Sequence, residues 1–324
     1  MWRGAFLACC LIWSAAALSA EVADATGRSV IVPDQVRRVV PAGPPAAVLM
    51  AAIAPDLMAG WPAPVPDAAR AVLPSDAAAL PQIPRLTARE DASGRIAALH
   101  PDLILDYGDT GQRYIDLAIA TQRQTGIPTL LLDGALDKVP AVLRLLGGVL
   151  HRPERADELA RFTEALLSLP SPASHPTVVY ARGPAGTLAA APDTDVTAVF
   201  TRLGWTVLAP EGSGTFRPVT AGTVATLNPD LLVFSDPAMA DALAHDPAWK
   251  AVRAVREGHA VVAPHLPFGW VEEPPSINRL IGFAWLSGHD PVTLAAMANA
   301  ILYRRTLTPA ERDTVLSGVS SIRP

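Results

Sequence analysis

The chain has very little cysteine, since both of its cysteines, Cys9 and Cys10, lie within the first ten of 324 residues. The rest of the sequence therefore offers no thiol for a structural disulfide bond or a cysteine-ligated zinc ion. The sequence also lacks an excess of basic residues, because 26 Lys and Arg stand against 31 Asp and Glu, with a formal net charge of -5. This balance disfavours a nucleic-acid partner.

Recognisable catalytic motifs are missing as well. Residues 212–214 read Gly-Ser-Gly and do not have the spacing of a nucleophile elbow, and no His-Glu-x-x-His or Walker motif occurs. The seven histidines are scattered along the chain. We therefore expect no catalytic residues, no resident metal and no cofactor, and predict that the protein is not an enzyme.

What the sequence does contain is apolar material for a large core. Half of the residues are hydrophobic and 18% are charged, which is typical of a globular protein rather than a disordered chain or a coiled coil. At roughly 150 residues per domain, the length favours two domains.

Residues 1–20 are predicted to be a signal peptide. Arg3 precedes an apolar run, and small residues follow up to Ala20, which is the order of a charged, an apolar and a cleavage region. The apolar run is about 13 residues long, shorter than the ~20 needed to span a bilayer, so a membrane anchor is disfavoured. The residues before Cys9 only faintly resemble a lipidation site. We expect export and cleavage.

Short apolar runs alternate with helical spacing along the remaining sequence. Strands are predicted at residues 29–32, 39–40, 56–61, 103–105, 126–132, 177–180, 231–234 and 260–263. Helical spacing is found at residues 46–54, 114–125, 138–169, 196–204, 277–286 and 291–303. Strands that alternate with helices predict an α/β fold with a mainly parallel sheet.

One unit of sequence occurs twice. Residues 94–105 and 222–233 each contain a helix end, a Leu-x-Pro-Asp turn and a buried strand. A single copy in each half suggests two lobes of similar construction and not a solenoid.

A family resemblance rests on these units and on three further segments. The start, with Gly27, Arg28 and Pro33 followed by Arg38-Val-Val, resembles the opening of class III periplasmic substrate-binding proteins of ABC importers. Residues 246–258 resemble the segment that precedes the last strand of that family. Residues 267–280 are similar to a branch that includes binders of iron complexes, molybdate and tungstate.

The resemblance implies two Rossmann-like lobes joined by one long interdomain helix, with the ligand cleft between the lobes. On this basis residues 21–150 form the N-terminal lobe, 151–170 the interdomain helix and 171–324 the C-terminal lobe. It further implies a monomer in the periplasm that captures a metal chelate, such as a ferric siderophore, cobalamin or haem, or an oxyanion. The partner would be an ABC permease with its ATPase. A sensor or carrier without a permease, and a secreted α/β hydrolase, are the alternatives.

Loops that follow predicted strands supply the candidate ligand-binding residues. In the second half, one loop offers a guanidinium for an anionic group and flexible backbone, and another offers aromatic walls and an imidazole. In the first half, a tryptophan and a tyrosine hold equivalent positions. The candidates are Trp61, Tyr107, Arg182, Gly183, Pro184, His265, Phe268 and Trp270.

Residues beside these candidates receive plainer interpretations. Glu272 and Glu273 stand before two prolines and are more typical of a solvated turn than of a metal site. Arg279 is expected to pin the start of the following helix.

Two positions depart from the family pattern. Relatives usually present a surface Glu just before the Leu-x-Pro-Asp unit of each lobe, where it is expected to pair with a permease arginine. This chain has Gly94 and Gly222 there. Glu90 and Asp91 lie close to Gly94 in sequence and could replace the missing acid in the first lobe. If the protein serves an ABC importer, we expect docking with a weaker dependence on charge than in relatives, or an unusual permease.

Overall fold

The computed structural model describes residues 19–87 and 92–317. Its strands are β1 Ser19–Ala23, β2 Ser29–Pro33, β3 Val39–Pro41, β4 Leu103–Gly108, β5 Thr129–Asp133, β6 Thr177–Arg182, β7 Leu188–Ala190, β8 Thr206–Val207, β9 Phe216–Pro218, β10 Leu231–Phe234 and β11 Ala260–Val262. Most of the predicted signal peptide lies outside this part of the chain.

The helices are mostly short, as the 32 prolines of the sequence favour. They are α1 Pro44–Ile53, α2 Asp67–Arg70, α3 Ser75–Ala78, α4 Ala92–Ala97, α5 Gln112–Thr125, α6 Val139–Val149, α7 Pro153–Leu167, α8 Ala198–Arg202, α9 Ala221–Leu227, α10 Met239–His245, α11 Pro247–Lys250, α12 Arg253–Arg256, α13 Arg279–Leu286, α14 Pro291–Leu302 and α15 Pro309–Val315.

Two separate sheets give the fold its two lobes. In the first half β3, β4 and β5 form a parallel sheet in sequence order. Their residues are almost continuously apolar and buried, as expected for parallel strands that helices cover on both faces. The hairpin of β1 and β2 is attached beside this sheet, because the backbone N–H of Ala25 donates to the carbonyl of Leu131 at 2.9 Å.

The second sheet repeats the parallel arrangement and adds an antiparallel part. Strands β11, β10, β6 and β8 run parallel, with β6 paired to both β10 and β8. At its carboxyl end β6 pairs antiparallel with β7, which in turn pairs with β9. The mixed α/β architecture predicted from the sequence is therefore present. The antiparallel part was not predicted.

The helix α7 connects the two halves of the chain and lies within the predicted segment 151–170. It packs against α1, α6, α13 and α14. Its buried Arg155 donates to the carbonyl oxygens of Ala52 at 2.7 Å and Leu302 at 2.8 Å, which fixes α7 to two other helices.

The strand predicted at residues 56–61 is replaced by other structure. Pro55–Leu57 forms a 3-10 turn, and only isolated bridges at Met58 and Trp61 follow. Proline fixes φ near the helical value and begins such a turn readily. Within residues 19–87 and 92–317, the helices are all too short or too polar to cross a bilayer.

Candidate ligand-binding site

A cavity of about 1020 Å³ lies between the two sheets. Its walls come from the segments that follow β3, β4, β6, β10 and β11 at their carboxyl ends, together with residues 61–68 and 193–196. Ligands of open α/β sheets bind outside the carboxyl ends of parallel strands, because the loops there are not part of the hydrogen-bonded sheet. The position of the cavity is therefore set by the fold.

Five of the eight residues predicted from sequence line this cavity: Trp61, Tyr107, Arg182, His265 and Phe268. The first two belong to the N-terminal half and the others to the C-terminal half. The structure thus brings together residues that are as much as 207 positions apart in the chain.

Aromatic rings form one wall of the cavity. The rings of Trp61 and Phe268 have centroids 5.6 Å apart, and Phe268 meets the ring of Tyr303 at 6.1 Å. The indole N–H of Trp61 donates to the carbonyl of Ala77 at 2.9 Å, which holds the ring in place. This contact joins the two halves of the chain through an apolar surface.

The other three predicted residues do not line the cavity. Gly183 and the exposed Pro184 form a turn in which the N–H of Gly186 donates to the carbonyl of Gly183 at 2.8 Å, and neither residue lines the cavity. Trp270 is 3% exposed in the core. Its backbone carbonyl lies against Gly282 of α13, where any side chain would collide with it.

Acidic residues were the main feature missed in the sequence. Seven carboxyl groups and two guanidinium groups line the cavity among the described residues: Asp106, Asp109, Asp193, Asp195, Asp236, Glu272, Glu273, Arg85 and Arg182. The signal available was position, since Asp106, Asp109 and Asp236 all follow predicted strands. Their separation in sequence concealed the cluster.

The expectation that Glu272 and Glu273 form a solvated turn is wrong for Glu272, which is 3% exposed. The hydroxyl of Tyr180 donates to its Oε1 at 3.1 Å, and Nη1 of Arg182 lies 3.8 Å from the same oxygen. Burial raises the pKa of Glu272 from 4.5 to about 7, and the neighbouring charge of Glu273 adds to this shift. Burial likewise raises the pKa values of Glu273, Asp106 and Asp195.

Three buried polar atoms of the cavity wall have no hydrogen-bond partner within the described chain. They are the hydroxyls of Tyr107 and Ser235 and Nδ1 of His265. Burial raises the pKa of Tyr107 to about 12 and lowers that of His265, so both side chains are neutral at pH 7. Neutral, unpaired groups of this kind can hydrogen-bond a ligand.

Arg279 has a larger role than the helix-start contact expected from sequence. It does donate to the carbonyl of Ser276, at 3.4 Å. It also donates to the carbonyl of Asp195 at 2.7 Å and to that of Gly134 beyond β5. One fully buried guanidinium therefore links the loops of both halves beneath the cavity.

No group of three or more His, Cys, Asp or Glu side chains suited to hold a metal ion is found in residues 19–87 and 92–317. The site shows instead a cavity with aromatic, acidic and hydrogen-bonding walls.

Comparison with protein families gives a match over residues 47–265 to the family described as periplasmic binding protein. This stretch is more than half of the chain, and the chain therefore belongs to that family. Comparison with curated proteins returns no match.

Solved structures share the fold at low sequence identity. An ABC transporter solute binding protein from Sulfurospirillum deleyianum is 18% identical, with a TM-score of 0.80 over 91% of this chain and 98% of its own. The molybdate periplasmic binding protein MolA of Haemophilus influenzae is 15% identical, with a TM-score of 0.67 over 90% and 99%. A Fe3+-hydroxamate transport protein from Saccharomonospora viridis is 20% identical, with a TM-score of 0.57 over 83% and 97%. These neighbours share the two-lobed fold that the sequence predicted, and their family consists of binding proteins.

Proposed function

We propose that this chain is a periplasmic solute-binding protein that captures a bulky metal chelate, of the size of a ferric siderophore, and delivers it to an ABC importer. The predicted signal peptide supports the compartment. The family and its structural neighbours support the substrate-binding role and the importer as partner.

The volume of the cavity is the observation that favours a chelate over an oxyanion. Pockets for drug-sized ligands have about 300–1,000 Å³, and this cavity of about 1020 Å³ is at the upper end of that range. A bare tetrahedral oxyanion takes up only a few times the ~30 Å³ of a water molecule. Such an ion would leave most of the aromatic wall without a contact.

The oxyanion is the second candidate because two arginines, Arg85 and Arg182, line the cavity. A guanidinium has a fork of donors that fits tetrahedral anions. The seven carboxyl groups around the same cavity oppose an anion, so the chelate remains the favoured ligand.

The test is purification of the protein from the periplasmic fraction of metal-limited cells without unfolding, followed by native mass spectrometry and metal analysis. We expect one organic metal complex per chain. Recovery of an oxyanion alone would support the second candidate. A protein free of any small molecule in every growth condition would contradict the proposal.

Uptake separates an importer from a sensor or carrier. A strain without this protein should lose uptake of the identified complex when the complex carries a radioactive metal, and a plasmid copy should restore it. Unchanged uptake would favour a sensor or carrier.

A further inference from the structure

The charges of the cavity wall suggest which ligands it accepts. We propose that the ligand carries a net positive charge and that its charged end lies against Glu272 and Glu273. This inference rests on the proposed function, since it describes the ligand of the same cleft.

The balance of charge is the first observation. Carboxyl groups outnumber guanidinium groups seven to two along the described cavity wall. Asp106 and Asp109 come from the N-terminal half and the other five from the C-terminal half, so acidic groups face the ligand from both sides. In a cleft with low-dielectric walls such charges act together and favour a cation over an anion.

Both arginines already face groups of the protein. The guanidinium of Arg182 stacks 3.4 Å above the ring of Phe216 and lies 3.8 Å from Glu272. Arg85 lies near Asp106, whose pKa its charge lowers against the effect of burial. An anionic ligand would therefore have to compete with a carboxylate for each guanidinium.

Unpaired polar groups are the second observation, and they point to an occupant independently of charge. Tyr107, which is 2% exposed, and Ser235, which is 6% exposed, line the cavity, and their buried hydroxyls form no hydrogen bond within the described residues, although Arg279 lies near Tyr107 and Glu273 near Ser235. Leaving a buried polar group unpaired costs about 1–3 kcal/mol. The ring of Phe268, which is partly exposed and lines the cavity, also suits a cation, because aromatic faces attract positive charge.

The affinity for a cation should depend on pH, because a carboxyl group of the cavity wall changes its protonation near neutral pH. Glu272 is faced by Tyr180 and Arg182 of β6, by Glu273 on its own loop and by Arg279 of α13. Ser235 and Asp236, after β10, lie beside Glu273. Since the pKa of Glu272 is about 7, part of the empty protein holds a proton there at neutral pH. A cation favours the ionised carboxylate, so its binding releases this proton and tightens from pH 6 to pH 8.

Three probes that share one ferric core and differ in the charged group at one end provide the test. They are the ferric complex of desferrioxamine B with its terminal ammonium group, the same complex with that amine acetylated, and the same complex with that amine succinylated. We expect affinity to fall in this order, by about tenfold per unit of charge at low salt. Binding of the cation should release protons in calorimetry with buffers of different ionisation enthalpy. Equal affinities, or the reverse order, would overturn the proposal.

The variants Glu272→Gln and Glu273→Gln keep the shape of the side chains and remove the charge. Each variant should lower the affinity for the ammonium probe by about tenfold and change the affinity for the acetylated probe by no more than about twofold. Glu257→Gln, at the exposed end of α12, is the matched control and should change neither. An equal loss of affinity for the acetylated and the ammonium probes would show that the glutamate acts only through its shape, and would overturn the proposal.

A measurement on the empty protein decides the matter if none of the three complexes binds. Cationic and anionic nitroxides of equal size are added in turn, and their effect on NMR relaxation of backbone amides around the cavity is compared. Stronger relaxation by the cation supports the proposal, and equal or weaker relaxation overturns it. This result is independent of the proposed function, which fails separately if the purified protein never carries a ligand.

Discussion

Burial of single side chains determines the chemistry of the cleft. In sequence, Glu272 belongs to a Glu-Glu-Pro-Pro turn that resembles many exposed turns. In the structure it is surrounded by β6 and α13, and one hydroxyl and one guanidinium are its polar neighbours. The desolvation of its carboxyl group raises its pKa to about 7.

Stability should therefore depend on pH through this residue. Between about pH 4.5 and 7 the folded protein holds a proton on Glu272 that the unfolded chain has lost, so stability falls as pH rises through this window. Glu272→Gln removes the titration and keeps an acceptor for Tyr180. We expect a gain over wild type of less than about 1 kcal/mol at pH 5 and of about 3 kcal/mol at pH 8. Urea unfolding at both values measures this, and a gain of the same size at pH 5 would contradict it.

Replacement of Arg182 distinguishes the two ligand candidates, because it should weaken the binding of an oxyanion and not that of a cationic chelate. Arg182→Met keeps the apolar stem over Phe216 and removes the charge. An oxyanion held by this guanidinium should lose about 1.5–3 kcal/mol of binding free energy. The chelate of the proposed function, if cationic, should bind as well as before or more tightly at pH 8. Calorimetry with the ligand recovered from the native protein measures the sign, and weaker binding of a cationic chelate would contradict our account.

At the scale of elements, the helix α7 makes contacts that link the two halves of the chain. Its Arg155 is 5% exposed and donates to carbonyls of Ala52, Ile301 and Leu302. These carbonyls lie at or next to the ends of α1 and α14, where they have no helical partner. The buried guanidinium thus satisfies the ends of two helices at once.

Arg155→Met should destabilise the protein by about 2–4 kcal/mol, because it leaves these buried carbonyls unpaired. Arg161→Met is the matched control on the same helix, since Arg161 is exposed and pairs with Asp157 at the surface. We expect it to change stability by less than about 1 kcal/mol. Urea unfolding of both variants is the measurement, and equal effects would show that the carbonyl contacts contribute nothing.

The helices α4 and α9 carry the two positions at which the sequence departs from the surface acid that the family resemblance leads us to expect. Gly94 and Gly222 are exposed and lie in the first turns of these helices. A Cβ atom at Gly94 would meet open space, and one at Gly222 would make an ordinary contact with the Thr220 hydroxyl at 3.7 Å. A Glu in a first helical turn is favourable to the helix. Glu90 and Asp91, the possible substitutes, lie outside the described residues.

If an ABC permease is the partner, Gly94→Glu with Gly222→Glu should speed association and steepen its dependence on salt without loss of stability. Gly94→Gln with Gly222→Gln is the neutral control. Surface plasmon resonance against the permease in nanodiscs over a salt series measures both. Faster association of the Gln pair, to the same extent, would show that charge is not the cause.

The sequence predicted the parallel strands well, because β4, β5, β6 and β10 are unbroken apolar runs between turn residues. It did not predict β7, β8 and β9, which have only two or three residues each and no periodicity of their own. Their pairing depends on where β6 lies in the folded sheet. Short strands of this kind are determined by tertiary contacts and not by local pattern.

At the scale of the whole molecule, the repeated Leu-x-Pro-Asp unit predicted two lobes, and loops after strands predicted where the cleft lies. The sequence did not allow us to predict which aromatic residues lie in the cleft and which lie in the core. Phe268 and Trp270 belong to one short loop, yet Phe268 lines the cavity and Trp270 is buried below α13. The backbone of Trp270 lies close to Gly282, in a segment 12 residues away, and such tertiary contacts are not visible in the local sequence.

The central claim is that the ligand lies in the cavity between the two halves. Its most direct test is calorimetric titration of the ligand recovered from the native protein against a variant with a filled cavity. Ala63→Trp places a large ring in the wall, and Ala98→Trp adds the same ring at an exposed position outside the cavity. We expect binding by wild type and Ala98→Trp and none by a folded Ala63→Trp. Undiminished binding by Ala63→Trp would contradict the account.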